Sequence, residues 1–560
     1  MQEHLLFRRR LGRCPSGISR QLGRAEKESK CRRLIHCMFR QVLRQRWAST
    51  SVKPWYITTP IFYPNSVPHI GHLYSLVTAD IFARHNSLKN PSRPVRFVTG
   101  TDEHGLKIQK AAFDKKLPPK EFCDTISQQF RRLASEADVS YTRFIRTSEE
   151  AHYAAVAYVW RQLDEKDLIY KGSYSGWYSI TDECFYTEGQ VTHVPADANN
   201  PARTIAKETG ATVEHSCETN YMFRLSHFRE ALLEHYTSNP DCVFPPSHHD
   251  HLVSTLKAPL EDISISRPRS RLSWGIPVPN DPEHTIYVWF DALISYLTGI
   301  GYPWSNSGIG EGWPVDLQII GKDIVRFHSV YFPAILLALQ LPLQRQILAH
   351  AHWTSSQKKM SKSLGNTTDP FQAIEDFGID SIRYYLAKVG GRFQDDVDWS
   401  HVQVAKHDKE LQALVGNLFM RITSPAITSR MASECSSSHR EPFNFLHAAI
   451  ETLPTDVSTF LDKMDVAEAL EAIVNVLRMA NKCLTDLTPW KSSPEVARAS
   501  YDSCLEALRV SAICLQPFVP RAAGKLLDAL GVPSTERAWN SGQTGTVGNV
   551  TAGVRLFPSK

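Results

Sequence analysis

Residues 54 to 87 read PWYITTPIFYPNSVPHIGHLYSLVTADIFARHNS, and this stretch decides the fold. Alternation from Trp55 to Thr59 predicts a buried strand, Pro60, Pro64 and Pro68 hold the next loop extended, and apolar periodicity from Ile70 to Ala83 predicts a helix. His69 and His72 then stand at a helix N-terminus. Backbone donors and the positive dipole end favour an anion there, and Gly71 has no side chain to keep a flat base away. Histidines three apart at a helix start also serve as caps or core groups, so the neighbouring chain must decide between these roles.

Working outward, Pro94 to Thr99 predicts a second strand, ending in Gly100-Thr101-Asp102-Glu103-His104-Gly105. Two strands joined by one helix imply a parallel crossover, which brings both polar loops to the same carboxyl edge of the sheet. Asp102 falls near the histidines, where a carboxylate can hold an ammonium; its plainer role is a cap for a helix beginning at Leu106. Further helices are expected over Pro119 to Ala137 and Glu149 to Lys166.

From Tyr170 to Arg271 the pattern changes to short strands, turns and a Pro/Asn-rich stretch, as for an insertion in the sheet. His248-His249-Asp250-His251 reads as a solvated loop, because adjacent side chains diverge and nothing nearby completes a tetrahedral set. Gly308 to Gly312 lacks the flanking strand and helix of a dinucleotide fingerprint and reads as a surface loop. Thr285 to Phe290 and Leu317 to Ile320 resume the sheet, the second followed by Gly321-Lys322-Asp323. A strand from Gln346 to Ala351 leads to Gln357-Lys358-Lys359-Met360-Ser361-Lys362-Ser363-Leu364-Gly365-Asn366, whose lysines are mobile cations suited to a polyphosphate. No GxxxxGK[ST] occurs, so ATP would have to be handled by these histidines and lysines.

Beyond Ser400, His401 to Ser424, Phe445 to Lys463, Val466 to Leu487 and Ala497 to Leu515 carry the apolar spacing of a helix bundle, with Ser429 to Glu441 a connecting loop. By residue type, Trp490 reads as a core anchor before a stacking platform.

A chain of 560 residues, 42% apolar, buries sizeable cores in two to four domains. Its net charge of +5 hides an asymmetry: residues 1 to 50 carry thirteen Lys and Arg against three Asp and Glu, leaving the remainder at −5. An Arg-rich, acid-poor leader without a long apolar stretch is the pattern of a mitochondrial transit peptide; the alternative is a basic arm that binds RNA. Eleven scattered cysteines without a CxxC pair suit a reducing compartment. The longest apolar run, Val330 to Leu339, contains Pro333 and is too short to span a membrane, so a buried helix is expected.

His69-Ile-Gly-His72, GTDEHG, WGIPVP (Trp274 to Pro279), YVWFDAL, IGKDIVRFH and KMSKS occur in that order, and from Pro54 onward the chain resembles the class I methionyl-tRNA synthetases. With the basic leader, the resemblance points to the mitochondrial members of that family, and so to the mitochondrial matrix. It implies a Rossmann-like α/β catalytic domain with a parallel sheet and a connective insertion, followed by an all-α anticodon-binding helix bundle. The expected boundaries are 1–50 for the leader, 51–169 and 272–395 for the catalytic halves, 170–271 for the insertion and 396–560 for the bundle.

The resemblance further implies that ATP, with Mg2+, activates L-methionine for transfer to tRNA(Met). By motif it gives His69, Gly71, His72, Lys322, Asp323, Lys359 and Lys362 to ATP, with His69, His72, Lys359 and Lys362 the catalytic set. Asp102 is implied for the methionine ammonium, with Ile61, Tyr63, Trp289, Ala292, Tyr296, Ile324 and His328 around the thioether, and Asn417, Arg421 and Trp490 for the anticodon. Aromatic edges suit a polarizable sulfur.

Two departures from the family stand out. The stretch where many relatives carry zinc knuckles has only Cys184, so no structural zinc is expected, and Phe332 stands where relatives often have tryptophan. A monomer and no membrane association are expected. The rivals are another class I synthetase and a non-catalytic tRNA-binding paralogue; the second is disfavoured because His69, His72, Lys359 and Lys362 are all present.

Overall fold

Strands β1 (Trp55–Phe62) and β2 (Val95–Thr101) lie side by side and parallel, and helix α1 (Ile70–Lys89) is the crossover between them. The structure, a computed structural model, describes residues 52–179, 184–186, 188–196, 201–207, 209–304, 312–355, 357–360, 367–433 and 439–557. The basic leader, nearly all of the Gly308–Gly312 loop, and Lys362 lie outside the described residues.

The chain continues through α2 (Leu106–Asp114), α3 (Pro119–Glu136), β3 (Arg143–Arg146) and α4 (Glu150–Asp164). It then enters β4 (Ile169–Ser179), β5 (Thr212–Phe223), β6 (Val243–Phe244) and α5 (Pro246–Lys257). Helix α6 (Val288–Thr298), β7 (Leu317–Gly321) and β8 (Ile347–His350) complete the sheet region.

The main sheet is parallel throughout, in the order β3-β2-β1-β7-β8-β6. Its connections run one way from β1 to β2 and β3, and the other way from β7 to β8. The loops after β1 and β7 therefore diverge, leaving a crevice at the carboxyl ends of two adjacent strands, where such sheets bind ligands. Both faces are covered, which explains the near-continuous apolar strands. Ile57 and Phe97 pack with α1 and α3, while their neighbours Tyr56 and Val98 pack with α4 and α6.

Three expectations need correction. Thr285 to Phe290 does not resume the parallel sheet: Asp281–Ile286 pairs antiparallel with Ser266–Pro268 and Pro277–Val278, and Val288 already begins α6. A short apolar run fits a buried helix as well as a strand, and the run here continues as helix. The segment from Tyr170 holds the expected short strands, among them Cys184–Tyr186, Val191–Val194 and Arg203–Ala206, but also two long ones, β4 pairing with β5 from Ile169 opposite Phe223 to Tyr178 opposite Glu214. His248 to His251 lies in α5, not in a loop. Pro246 opens that helix, His249, Leu252 and Leu256 form its buried stripe, and His249 Nε2 lies 3.0 Å from the Tyr236 carbonyl.

The carboxyl-terminal part is built from α7 (Ile379–Gly390), α8 (His401–Leu411), α9 (Asn444–Asp462), α10 (Val466–Leu487), α11 (Pro494–Leu515) and α12 (Pro520–Ala529). The single helix expected from His401 to Ser424 is interrupted by a π-helical turn at Gln412–Asn417 before Leu418–Ile422. These helices share one apolar core with the α1 face of the sheet. The far end of α1 is clasped by them: His85 Nε2 lies 3.1 Å from Ser458 Oγ, Lys89 pairs with Asp462, and the Trp539 N–H donates to the Leu88 carbonyl.

Candidate active site

His69 is the N-cap of α1, extended at φ −132° and ψ 175°. Its Nδ1 accepts from the Gly71 N–H at 3.1 Å, and His72 Nδ1 accepts from the His69 N–H at 3.0 Å. The capping and functional roles of the pair are thus compatible, because capping occupies Nδ1 and leaves the proton of each neutral ring on Nε2. The rings stack with centroids 3.8 Å apart, and His72 meets the stacked pair Phe62 and Phe130 edge-on, each at 5.1 Å. A Cβ at residue 71 would stand 2.9 Å from the His69 ring, so glycine there keeps the stack intact.

The turn after β7 carries the other predicted nucleotide residues. Lys322 pairs with Asp396 at 2.7 Å, and Asp323 Oδ1 lies 3.2 Å from His352 Nε2. Between the two strand ends, His350 Nε2 meets Ser75 Oγ at 2.7 Å, and burial pushes its pKa down to about 4. The Lys359 backbone pairs with Thr354, and the Thr368 carbonyl accepts from the Ile70 N–H at 3.2 Å.

On the far side of β1, Trp289, Ala292 and Tyr296 share one face of α6 at i, i+3 and i+7. The Tyr296 hydroxyl lies 2.8 Å from His328 Nε2. His328 Nδ1 is 2.9 Å from the Ile324 carbonyl, so Nδ1–H donates to it and Nε2 accepts from Tyr296. Burial pushes the His328 pKa down to about 4, which keeps the imidazole neutral near pH 7. Phe332 backs Tyr296 at 5.6 Å, and Trp289 faces Tyr331 at 5.1 Å.

Asp102 is buried, and its charge adds to the burial that raises the Tyr296 hydroxyl pKa. It does not cap α2, whose N-cap is Gly105 at φ 103°. Tyr63 donates to the His104 carbonyl at 2.5 Å. Ile61, Tyr63, Asp102, Tyr296, Ile324 and His328 are thus gathered at one strand end, with Trp289 and Ala292 on the helix face beside them.

A second predicted set lies on the helical part. Asn417 is exposed at the end of the π turn, one turn before Arg421, and the Arg421 guanidinium stands 5.6 Å from the centre of the Trp490 ring. Trp490 is half-buried against the core, so its core and surface roles are both partly realised.

The family model "tRNA synthetases class I (M)" matches residues 55–423, and the model "Anticodon binding domain of methionyl tRNA ligase" matches residues 434–559. The chain belongs to the class I methionyl-tRNA synthetases. It is 42% identical to a probable mitochondrial methionine–tRNA ligase of Schizosaccharomyces pombe, covering 88% of this chain and 92% of that one. It is equally identical, at 42%, to a methionine–tRNA ligase of Rickettsia bellii, over 86% of this chain and 94% of that one. The crystal structure of the Mycobacterium tuberculosis methionyl-tRNA synthetase bound by methionyl-adenylate superposes with a TM-score of 0.83 at 35% identity, over 90% of this chain and 100% of that one.

Within this synthetase fold, sequence reasoning missed a buried polar group beside the pocket. His104 Nδ1 lies 3.1 Å from Asp291 Oδ2, and His104 Nε2 lies 3.0 Å from the Tyr153 hydroxyl. Both residues sit inside motifs quoted above, GTDEHG and YVWFDAL. The signal was a lone carboxylate in an otherwise apolar run, a position that demands a partner. The aromatic wall also gains Phe327 and Tyr331, from a π-helical turn at Phe327–Tyr331 that leads into the buried helix Phe332–Ala338 expected from the Val330 to Leu339 run.

Proposed function

We propose that this chain activates L-methionine with ATP and transfers it to tRNA(Met) in the mitochondrial matrix, acting as a monomer without structural zinc. The carrying observation is convergence: the histidine pair heading α1 and the Asp102/Tyr296/His328 pocket flank the same strand end, at the switch point of the sheet. The leader and the mitochondrial relatives support the compartment. The proposed domains are those expected from sequence, and β6, from within 170–271, supplies an edge strand to the catalytic sheet.

In the first step a methionine carboxylate oxygen attacks the α-phosphorus, the bond to the bridging oxygen breaks, and pyrophosphate leaves with that electron pair. Such a displacement needs positioning and charge neutralisation more than covalent help. The Nε2–H donors of His69 and His72 serve the phosphates, Lys322 and Asp323 the ribose side, and Lys359 and Lys362 the triphosphate. Mg2+ enters with ATP as part of the substrate. In the second step a terminal ribose hydroxyl of the tRNA attacks the acyl carbon and AMP departs.

Asp102 takes the ammonium, and the aromatic wall takes the thioether. Tyr296 directs its proton to His328, so the hydroxyl beside the sulfur is already engaged as a donor and disfavours polar side chains.

Pyrophosphate exchange by the chain lacking residues 1–50, against a panel of amino acids, tests the assignment: only methionine should support it, and exchange with another amino acid or with none would refute it. Lys362→Ala is expected to slow exchange about tenfold or more while methionine affinity, read by intrinsic fluorescence, is unchanged. Parallel losses would contradict a role confined to the phosphates.

For the tRNA, Trp490 and Arg421 offer a stacking face and a cation, and Asn417 an amide. Loss of one stacked base contact costs about 1 to 3 kcal/mol. Trp490→Ala should therefore reduce tRNA charging by roughly 5- to 150-fold in kcat/KM and leave tRNA-free exchange intact. An equal fall in exchange would show instead that the tryptophan only supports the core.

A further inference from the structure

We propose that Asp291 is a positioning residue for the amino acid: through His104 it fixes the loop carrying Asp102 against α6, and so sets where the ammonium-binding carboxylate stands relative to the thioether pocket. This rests on the reading of that pocket as the methionine site.

Asp291 lies on the same helix as Trp289, Ala292 and Tyr296, and it is fully buried. Its Oδ2 meets His104 Nδ1 at 3.1 Å, and among the described residues Oδ1 has no hydrogen bond but faces His152 Nε2 at 3.8 Å. Burial works to raise the Asp291 pKa, yet His104 and His152 more than offset it and hold the carboxyl below its usual range, so it is anionic. An anion this deep has few places to go, and His104 is its one hydrogen-bonded partner here.

His104 in turn is held at three atoms. Nδ1 faces Asp291, Nε2 faces the Tyr153 hydroxyl of α4, and its carbonyl accepts from Tyr63. The same loop is secured through its backbone: Asp102 N–H donates to the Phe62 carbonyl, Glu103 N–H to Thr147 Oγ1, and Trp274 Nε1 to the Glu103 carbonyl. Those bonds tie the loop to β1, to the segment after β3 and to the WGIPVP strand. The hydrogen bond from His104 to Asp291 ties it to α6. If that tie is cut, the loop and the helix keep their own structures but lose their mutual register.

The distinguishing measurement uses methionine and 4-(methylthio)butanoate, which is methionine without its amino group. The full chain and its Asp291→Asn variant are titrated calorimetrically with each. Misplacement of Asp102 should weaken methionine about tenfold and change the deaminated ligand by less than about twofold, with KM for ATP in exchange unmoved. His104→Asn places an amide donor near the Nδ1 position and should recover most of the methionine affinity, whereas His104→Ala should match Asp291→Asn.

A general loosening of the pocket would weaken both ligands alike, and that result, or no change in either, overturns the proposal. Should Asp291→Asn fail to fold, Tyr153→Phe cuts the same chain at its far end; a smaller loss confined to methionine supports the proposal, and an equal loss for both ligands overturns it. A wild-type chain that binds no methionine would refute the pocket assignment itself. A wild-type chain that binds methionine while the variants lose both ligands equally refutes only the role of Asp291.

Discussion

Exchange of His72 for asparagine is expected to leave the chain folded and to slow adenylate formation about 100- to 1,000-fold, the usual cost of removing one donor aimed at developing charge. The reasoning rests on the division of labour within the imidazole. His72 Nδ1 accepts the His69 N–H, and an asparagine carbonyl oxygen occupies nearly the same place, so the cap survives. What disappears is the Nε2–H. Glutamine reverses the exchange: its amide reaches the Nε2 position but abandons the cap, so it should restore part of the rate at a cost of about 1 kcal/mol in stability. Single-turnover adenylate formation, set beside thermal unfolding midpoints, separates the two. If asparagine slows the reaction no more than its midpoint falls, or if glutamine is no faster than asparagine, His72 is a cap and nothing else.

The same division explains why the opening stretch could be read so far from sequence. Proline spacing, a strand, a glycine and a periodic helix fix where the two rings stand, and backbone geometry alone fixes which nitrogen each presents. The parallel sheet followed from the crossover rule, and the crevice from the chain turning back to place β7 beside β1. The pocket was legible only through the family resemblance, since no periodicity announces that Ile61, Tyr296 and His328 will meet.

Failures were of two physical kinds. Runs such as TIYVWF satisfy strand and helix alike, and tertiary context chose helix from Val288. The π turns at Phe327–Tyr331 and Gln412–Asn417 have no hydrophobic signature, because one extra residue in a turn barely disturbs an apolar stripe. Each turn nevertheless carries a candidate binding residue, His328 and Asn417. Such bulges are frequent at functional sites because they re-aim a side chain that a regular helix would bury or turn away.

Arg383→Met should destabilise the chain by about 3 kcal/mol near neutral pH, and the deficit should narrow as pH is taken below about 4. Arg383 on α7 is fully buried and meets Asp80 Oδ2 at 2.7 Å, in the middle of the helix headed by His69. Its guanidinium also donates to the carbonyls of Ala137, Pro517 and Phe518, so one side chain joins α1, the end of α3 and the corner between α11 and α12. Methionine fills the space and satisfies none of them.

The pH dependence follows from Asp80. Burial works to raise its pKa, but Arg383, Arg84 and two hydrogen bonds from Ser140 outweigh burial and hold it below the usual carboxylate range. A carboxyl with a depressed folded pKa stabilises above its unfolded value, near 4, and loses that contribution as pH falls through the folded value. Without Arg383 the depression shrinks, so wild type has more to lose on acidification than the variant. Arg84 remains beside Asp80 in the variant, which is why the expected loss sits at the low end for a broken buried pair. Urea unfolding of both proteins across pH measures the difference directly. A deficit independent of pH would assign the whole effect to the three carbonyls and remove Asp80 from the account, and with it the electrostatic link between the helix bundle and the histidine-bearing helix.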